Sequence, residues 1–356
     1  MEDLVMNREF WRGRRVFLTG HTGFKGGWLA LWLSDMGAEV HGYALSPPTD
    51  PNLFTVANLY KCLSSNSIAD IRDIVALTRT MQAVQPEVVF HLAAQPLVRH
   101  SYSAPVDTYA VNVMGTVNLL EAVRQTSSVK AIVNVTSDKC YENNEWIWPY
   151  RENESLGGFD PYSSSKACSE LVTAAYRHSF LESSGVQLAS ARAGNVVGGG
   201  DWADDRLVPD FFRASDSNQV LAIRSPQATR QWQHVLEPLS GYLNLAERLL
   251  EDGHSFAGAW NFGSEDSDAR SVQWIVEYLI GLVPGATWQS DTTSQQHEAN
   301  ILKLDSSKAK IYLGWHPQWD IETALSMTQE WYQAWRQGLD MAAISLKQIK
   351  IYEGYI

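Results

Sequence analysis

The chain has 356 residues, 45% hydrophobic and 19% charged, enough apolar mass for a large core in two domains or one domain with an appendage. A net charge of −12 excludes a general nucleic-acid or membrane-surface binder, which needs a basic footprint; a small anion held by local arginines or backbone N–H groups stays open. Three cysteines (Cys62, Cys140, Cys168) without a C-x-x-C pair fit a reducing compartment and argue against a disulfide scaffold or a bound metal.

At the start, MEDLVMNREFWRGRR lacks the apolar stretch of a signal peptide, and the longest apolar run, WLALWL (28–33), is far too short to span a bilayer. A cytoplasmic protein without membrane contact is expected. RVFLTG (15–20) reads as a buried strand, 26–37 as a helix and EVHGYAL (39–45) as the next strand. After the Pro-rich SPPTDPN come a segment ending SIAD (67–70), a helix near 73–84 and the strand VVFHLAA (88–94). A helix near 107–125, the strand AIVNVTS (131–137), a helix near 161–183 and the strand VQLASARAG (186–194) follow. This rhythm predicts βαβ units and an α/β, Rossmann-type doubly wound parallel sheet over 1–197, with ligands beyond the carboxyl ends of its strands. From 198 to 356 long polar loops, GGGDWADDR (198–206) and RSPQATRQWQH (224–234), surround helices near 234–251, 271–282 and 321–337 and strands near 219–224 and 259–263. A smaller C-terminal α/β substrate-binding domain is expected there. The fourteen Trp read as core and interface mass.

Two constellations carry chemistry. The first strand runs into GHTGFKG (20–26); glycines allow a tight turn, close approach of a pyrophosphate and tight helix–sheet packing, and the helix start offers unpaired N–H groups. Gly20, Gly23, His21 and Lys25 are therefore cofactor candidates. The second strand, ending GYALSPP, has no acid at its tip for a ribose and no Arg for an extra phosphate, so NAD is the expected dinucleotide, held more loosely than where such an acid is present. Asp70 ends the next strand as a candidate adenine contact. The second constellation is Tyr162 and Lys166 in YSSSK, four apart on one helical face. A free phenol, with a pKa near ~10, is a poor base at neutral pH, and a nearby ammonium favours the phenolate. Such a Tyr takes a proton from an alcohol as hydride leaves the same carbon. Ser137, ending the preceding strand, is the hydroxyl partner for the substrate oxygen.

With these motifs in place, GHTGFKG, HLAAQPLV (91–98), TYAVNVMGTVNLLEA (108–122), TSDKCY (136–141), YSSSK, RAGNVVGGGDW (192–202) and ATRQWQHVLEP (228–238), the chain resembles the extended short-chain dehydrogenase/reductase family over nearly its whole length. Within it, the chain is most similar to the nucleotide-sugar 4,6-dehydratases. The resemblance implies NAD as cofactor, with Phe24, Ile71, Ala93, Ala94, Gln95 and Thr136 joining Tyr162 and Lys166 in its site. It implies CDP-glucose as substrate, in deoxysugar and O-antigen lipopolysaccharide biosynthesis, and a homodimer or homotetramer paired through the helices near 107–125 and 161–183. Arg192, Asn195, Arg206 and Arg230 are the implied substrate ligands, with His234 beside them as a helix-start or loop residue; Arg suits a diphosphate because it donates two hydrogen bonds in parallel.

The implied reaction oxidises carbon 4, eliminates water across carbons 5 and 6, and returns the hydride to carbon 6. Tyr162 takes the carbon-4 hydroxyl proton. Asp138 is the acid for the leaving hydroxyl, a role that requires it to be protonated. Lys139 stands where dTDP-sugar relatives carry a Glu, and Gln231 where a proline is expected. As a base Lys139 would need a pKa far below the usual ~10.4; as an ammonium it would stabilise the enolate instead. An epimerase of the same fold would share Tyr162, Lys166 and the glycine turn without needing Asp138 and Lys139. A dTDP- or GDP-sugar dehydratase is a nearer alternative, and a non-catalytic NAD(P)-sensing protein would dispense with the Tyr/Lys pair.

Overall fold

Burial runs almost without a break through strands β1 (Arg15–Thr19), β4 (Val88–His91) and β5 (Ala131–Val135), most of whose residues are apolar, as a parallel sheet covered on both faces requires. The computed structural model describes residues 6–291 and 301–355. Between and after these strands lie β2 (Glu39–Ala44), β3 (Ser65–Ile68), β6 (Gln187–Ala193), β7 (Asn195–Val197), β8 (Val220–Ile223), β9 (Thr229–His234) and β10 (Gly258–Phe262). The main sheet has seven parallel strands in the order β10-β6-β5-β4-β1-β2-β3.

Side chains alternate between two cores, as the pleat dictates. Val16, Leu18, Phe90 and Val133 point into one, which holds Trp11, Trp28 and Trp32; Phe17, Val89 and Ile132 point into the other, with Leu77, Met81 and Leu119. Six tryptophans, Trp11, Trp28, Trp32, Trp260, Trp315 and Trp331, are fully buried. The helix Ile74–Val84 starts at Asp73, whose carboxylate accepts the Val75 and Ala76 N–H groups; Pro161–Tyr176 starts at Asp160, which accepts from Ser163, with Pro161 in its first turn. Such caps satisfy backbone donors that a helix start leaves free.

The helices expected near 107–125 and 161–183 are interrupted by wide π turns at Ala110–Met114 and Arg177–Leu181. The boundary expected at 197/198 does not divide the sheet. β10 comes from beyond it and pairs with β6, and the helix Leu236–Glu251 packs on β5 and β6. The segment 228–238, expected as a loop, contains β9, which pairs with β7 and with two shorter strands, Ala269–Ser271 and Ile301–Leu302. Gln231 is buried in it and bonds Ser264 and Leu304 backbone groups, including an N–H from Leu304 at 2.7 Å. Near the C-terminus Glu353 accepts from Arg8 at 2.6 Å and from the Trp32 indole at 2.9 Å. Among the described residues no helix is long and apolar enough to cross a membrane.

Candidate active site

The carboxyl ends of β1, β4, β5 and β6 open into a cleft of about 1250 Å³, closed on its other side by residues from 198–210, 221–230 and 141–160. The glycine turn forms one wall. Gly20 has φ +76°, and a Cβ there would lie 2.7 Å from the Ala93 nitrogen; one on Gly26 would meet the Gly20 oxygen at 2.1 Å. Both positions therefore exclude any other residue. Gly23 is different: a Cβ there touches only the Gly20 oxygen, at 3.4 Å. It is the N-cap of the helix Phe24–Asp35, and no side chain caps that helix start. Free N–H groups, a bare glycine and a cleft in front of both fit an anionic cofactor. Phe24, Lys25, Ile71, Ala93, Ala94 and Thr136 line the same cleft.

At the end of β5 the chain turns through Ser137, which is extended and accepts the Lys139 N–H on its hydroxyl. The Ser137 hydroxyl donates to Asp138 Oδ1 at 3.0 Å, and Tyr162 lines the same cleft from the helix Pro161–Tyr176. Gly194 lies beside Asp138, where a Cβ would stand 3.4 Å from Oδ2, in ordinary contact. Ser137, Asp138, Tyr162 and Lys166 are buried, Lys139 is half-buried, and all five line the cleft. Burial pushes the Tyr162 phenol up to about 12; the Ser137 hydrogen bond and the Arg206 charge oppose it. Lys166 donates to the Val135 carbonyl at 3.3 Å, and burial brings its ammonium down to about 8 against the pull of Glu170. Lys25 reaches the same region. Burial, then Arg206 and Lys166, bring it to about 8, while Asp138 and Asp201 oppose them.

Not every expected residue faces the cleft. Arg192 points away from it: Nη2 donates to Glu170 at 2.8 Å and Nη1 to the Tyr141 hydroxyl at 2.7 Å, in a buried site behind the catalytic strand end. A strand-end Arg beside a motif looks like a phosphate ligand in sequence, but its strand turns it into the core. His21 packs under Gly42 with Nε2 2.7 Å from Asn66, and burial lowers its pKa, so its ring cannot meet a pyrophosphate. Gln95 is spent on Leu97 and Thr108. His234 is fully buried between the Trp28 and Trp319 rings and, as burial dictates, is held neutral with a pKa near 3. Asp70 stands at the cleft rim with its carboxylate gripped by Arg72 at 2.6 Å. Asn195, Arg206 and Arg230 line the cleft, Arg206 paired with Asp201 at 2.7 Å.

Sequence reasoning passed over several residues. Glu170 continues the face of Tyr162 and Lys166 by one more turn, a spacing visible in YSSSKACSE. Asp205 binds both Arg99, at 2.8 Å, and Arg224, at 3.1 Å, at the cleft mouth; nothing in a polar loop signals such a bridge. Among the described residues no group of three His, Cys, Asp or Glu side chains is placed to hold a metal.

Residues 17–328 match the model of the GDP-mannose 4,6 dehydratase family. The chain is 53% identical over 354 residues to the CDP-glucose 4,6-dehydratase of Salmonella typhimurium, covering 98% of each chain. It is 25% identical to the dTDP-glucose 4,6-dehydratase of Xanthomonas campestris pv. campestris, over 93% of this chain and 97% of that one. Among solved structures it resembles the dTDP-glucose 4,6-dehydratase of Streptomyces venezuelae with NAD and TYD bound, at TM-score 0.78 and 23% identity, covering 92% of this chain and 99% of that one. An epimerase from Methanothermobacter thermautotrophicus superposes at TM-score 0.81 and 23% identity, over 94% and 97% of the two chains. At those identities the structural likeness speaks for the fold; the sequence matches go further, and by them the chain belongs to the GDP-mannose 4,6 dehydratase family of extended short-chain dehydrogenases/reductases.

Proposed function

We propose that the chain catalyses the NAD-dependent 4,6-dehydration of CDP-D-glucose to CDP-4-keto-6-deoxy-D-glucose, a cytoplasmic step of deoxysugar and lipopolysaccharide biosynthesis. The observation that carries this reading is the Ser137–Asp138 hydrogen bond in the cleft that Tyr162 and Lys166 also line. Oxidation alone, or epimerisation, uses the phenol and the hydroxyl. A carboxyl group hydrogen-bonded to that hydroxyl and facing the cleft adds the acid that water loss requires. The 53% identity to a CDP-glucose 4,6-dehydratase supports the nucleotide.

In this scheme the sugar carbon-4 oxygen lies between Tyr162 and Ser137. Tyr162 accepts the hydroxyl proton, Ser137 holds the oxygen, and the Lys166 and Arg206 charges favour the phenolate. The resulting ketone acidifies carbon 5. Lys139 acts on that side: as a free amine it takes the carbon-5 proton, and as an ammonium it stabilises the enolate oxygen while solvent takes that proton; Asp138 protonates the departing carbon-6 hydroxyl. Bound against Gly20, Gly23, Phe24, Ala93 and Ala94, NAD supplies the two-electron acceptor for carbon 4 and the donor for carbon 6, so no net redox change results. Arg206, Arg230 and Asn195 are proposed to hold the diphosphate and sugar. With no acid at the tip of β2, NAD is expected to exchange readily, so that purified protein needs added NAD⁺ for full activity.

A homodimer is part of the same proposal. Val106, Met114, Leu171 and Phe180 are exposed apolar residues on the two helical segments 105–124 and 161–181, and a second copy would cover them. Sedimentation at micromolar concentration should show a dimer or tetramer; a monomer of 39.8 kDa overturns this part. The reaction is tested by offering CDP-, dTDP-, GDP- and UDP-glucose with added NAD⁺. CDP-glucose should give the alkali-induced absorbance of a 4-keto-6-deoxy sugar. Preference for another nucleotide corrects the substrate, and an epimerised hexose without that absorbance overturns the reaction.

A further inference from the structure

We propose that Glu170 is a positioning residue of this reaction: from behind the cleft its carboxylate keeps Lys166 charged beside Tyr162 and anchors the strand end that presents Ser137. The proposal rests on the Tyr162/Lys166 chemistry above, though not on the identity of the nucleotide. Tyr162, Lys166 and Glu170 are spaced four apart on the helix Pro161–Tyr176 and so share one face. Glu170 is 4% exposed and every bond it makes is to a fixed donor. Thr136, the residue before Ser137, donates its hydroxyl to Oε1. Ser190 donates to Oε2 at 2.6 Å, and Arg192 Nη2 to the same oxygen at 2.8 Å. Arg192 in turn binds the Tyr141 hydroxyl, which donates to Asn261 at 2.8 Å. The carboxylate thus ties β5, β6, the catalytic helix and the TSDKCY segment together at one point.

Three hydrogen-bond donors, one of them a guanidinium, are more than a packing role needs. They keep the carboxylate ionised in a site that would otherwise protonate it, since burial acts the other way. A buried ammonium loses its proton unless a negative charge stands near. Around Lys166 those charges are few: Glu170 on its own helix favours the ammonium, burial keeps the Cys140 thiol after β5 neutral, and Lys25 from the glycine turn is a cation opposing it. His91 from β4 faces Lys166 too, but is held neutral by burial. Around Glu170 stand Arg192 from β6, Arg177 at the end of its own helix, Lys166 and Cys140. Glu170 is the carboxylate one turn along the helix from Lys166 and its charge favours the ammonium, so removing that charge should release the Lys166 proton at lower pH.

The test is the pH dependence of kcat, measured with whichever nucleotide sugar the wild type turns over and with saturating NAD⁺. Glu170→Gln should bring the alkaline limb down by about one pH unit or more and lower kcat at pH 8 by about tenfold, with KM within about twofold. Glu170→Asp, which restores the charge, should return the limb most of the way. Because Glu170→Gln leaves Arg192 buried without its anion, the double variant Glu170→Gln/Arg192→Gln serves if the single one does not fold; replacing both members of a buried pair is tolerated better than removing one. It should show the same lowered limb. A fall in Tm with an unmoved limb, in any of these variants that folds, overturns the proposal and leaves a purely structural ion pair. Failure of the wild type to turn over any nucleotide sugar would count against the proposed function instead.

Discussion

Ser137 donates its hydroxyl to Asp138 at 3.0 Å, in the cleft that Tyr162 also lines. In the proposed scheme this places the residue that holds the carbon-4 oxygen against the acid for the leaving carbon-6 hydroxyl. Asp138→Asn keeps this geometry and removes the transferable proton. Product formation should fall by about 10²–10⁴-fold, the usual weight of a general acid, while solvent deuterium still enters carbon 5. Mass spectrometry of recovered substrate and product checks both; loss of exchange together with product would assign Asp138 to an earlier step.

Lys139 is half-buried and lines the cleft next to Asp138. Lys139→Met should abolish carbon-5 exchange if the amine takes that proton, and lower it by about tenfold if it acts only as a positive charge. Full exchange in the variant removes Lys139 from the reaction at carbon 5.

Arg206 faces Tyr162 and opposes the burial that pushes its phenol up to about 12. Its removal raises that value further, so the phenolate forms only at higher pH. Arg206→Met should move the acid limb of the kcat profile to higher pH and lower kcat near neutrality by about tenfold, with a smaller change for Arg206→Lys. A raised KM with an unmoved limb would make Arg206 a phosphate ligand alone.

Glu237 accepts the Gln318 and Trp319 N–H groups and the Tyr352 hydroxyl, and its full burial pushes its carboxyl up to about 7. A folded value raised above the usual carboxylate range gives stability that is complete at low pH and is lost as pH rises through about 7. Thermal unfolding between pH 4.5 and 8 should show that loss, up to about 3 kcal/mol from this group. Glu237→Gln should reduce the slope. It should not abolish it, because burial also raises Glu247, bonded to the Trp11 indole, to about 7.

The sequence made β1, β4 and β5 legible because strands buried on both faces are mostly apolar. It made Tyr162 and Lys166 legible because a helix turns a spacing of four into a contact. β9 was hidden for the opposite reason. Its residues TRQWQH look like a loop, yet Arg230 to His234 are buried, with Gln231 and Gln233 bonding backbone groups of distant segments. The helix Leu207–Asp216 was hidden by the acidic run before it, though Val208, Phe211 and Phe212 form its apolar stripe. Arg192 and His21 carry ligand-like chemistry in ligand-like motifs. Only the direction of each side chain, set by the strand or turn that holds it, turns them from the cleft to the interior.

β6 gains its outer neighbour only from β10, a strand encoded well beyond it in the chain. On the ribosome, the nascent sheet must therefore wait with an apolar edge uncovered until residues 258–262 emerge. Such an edge invites pairing with other chains. A chain that stopped between β6 and β10 would leave this edge of β6 open to other chains.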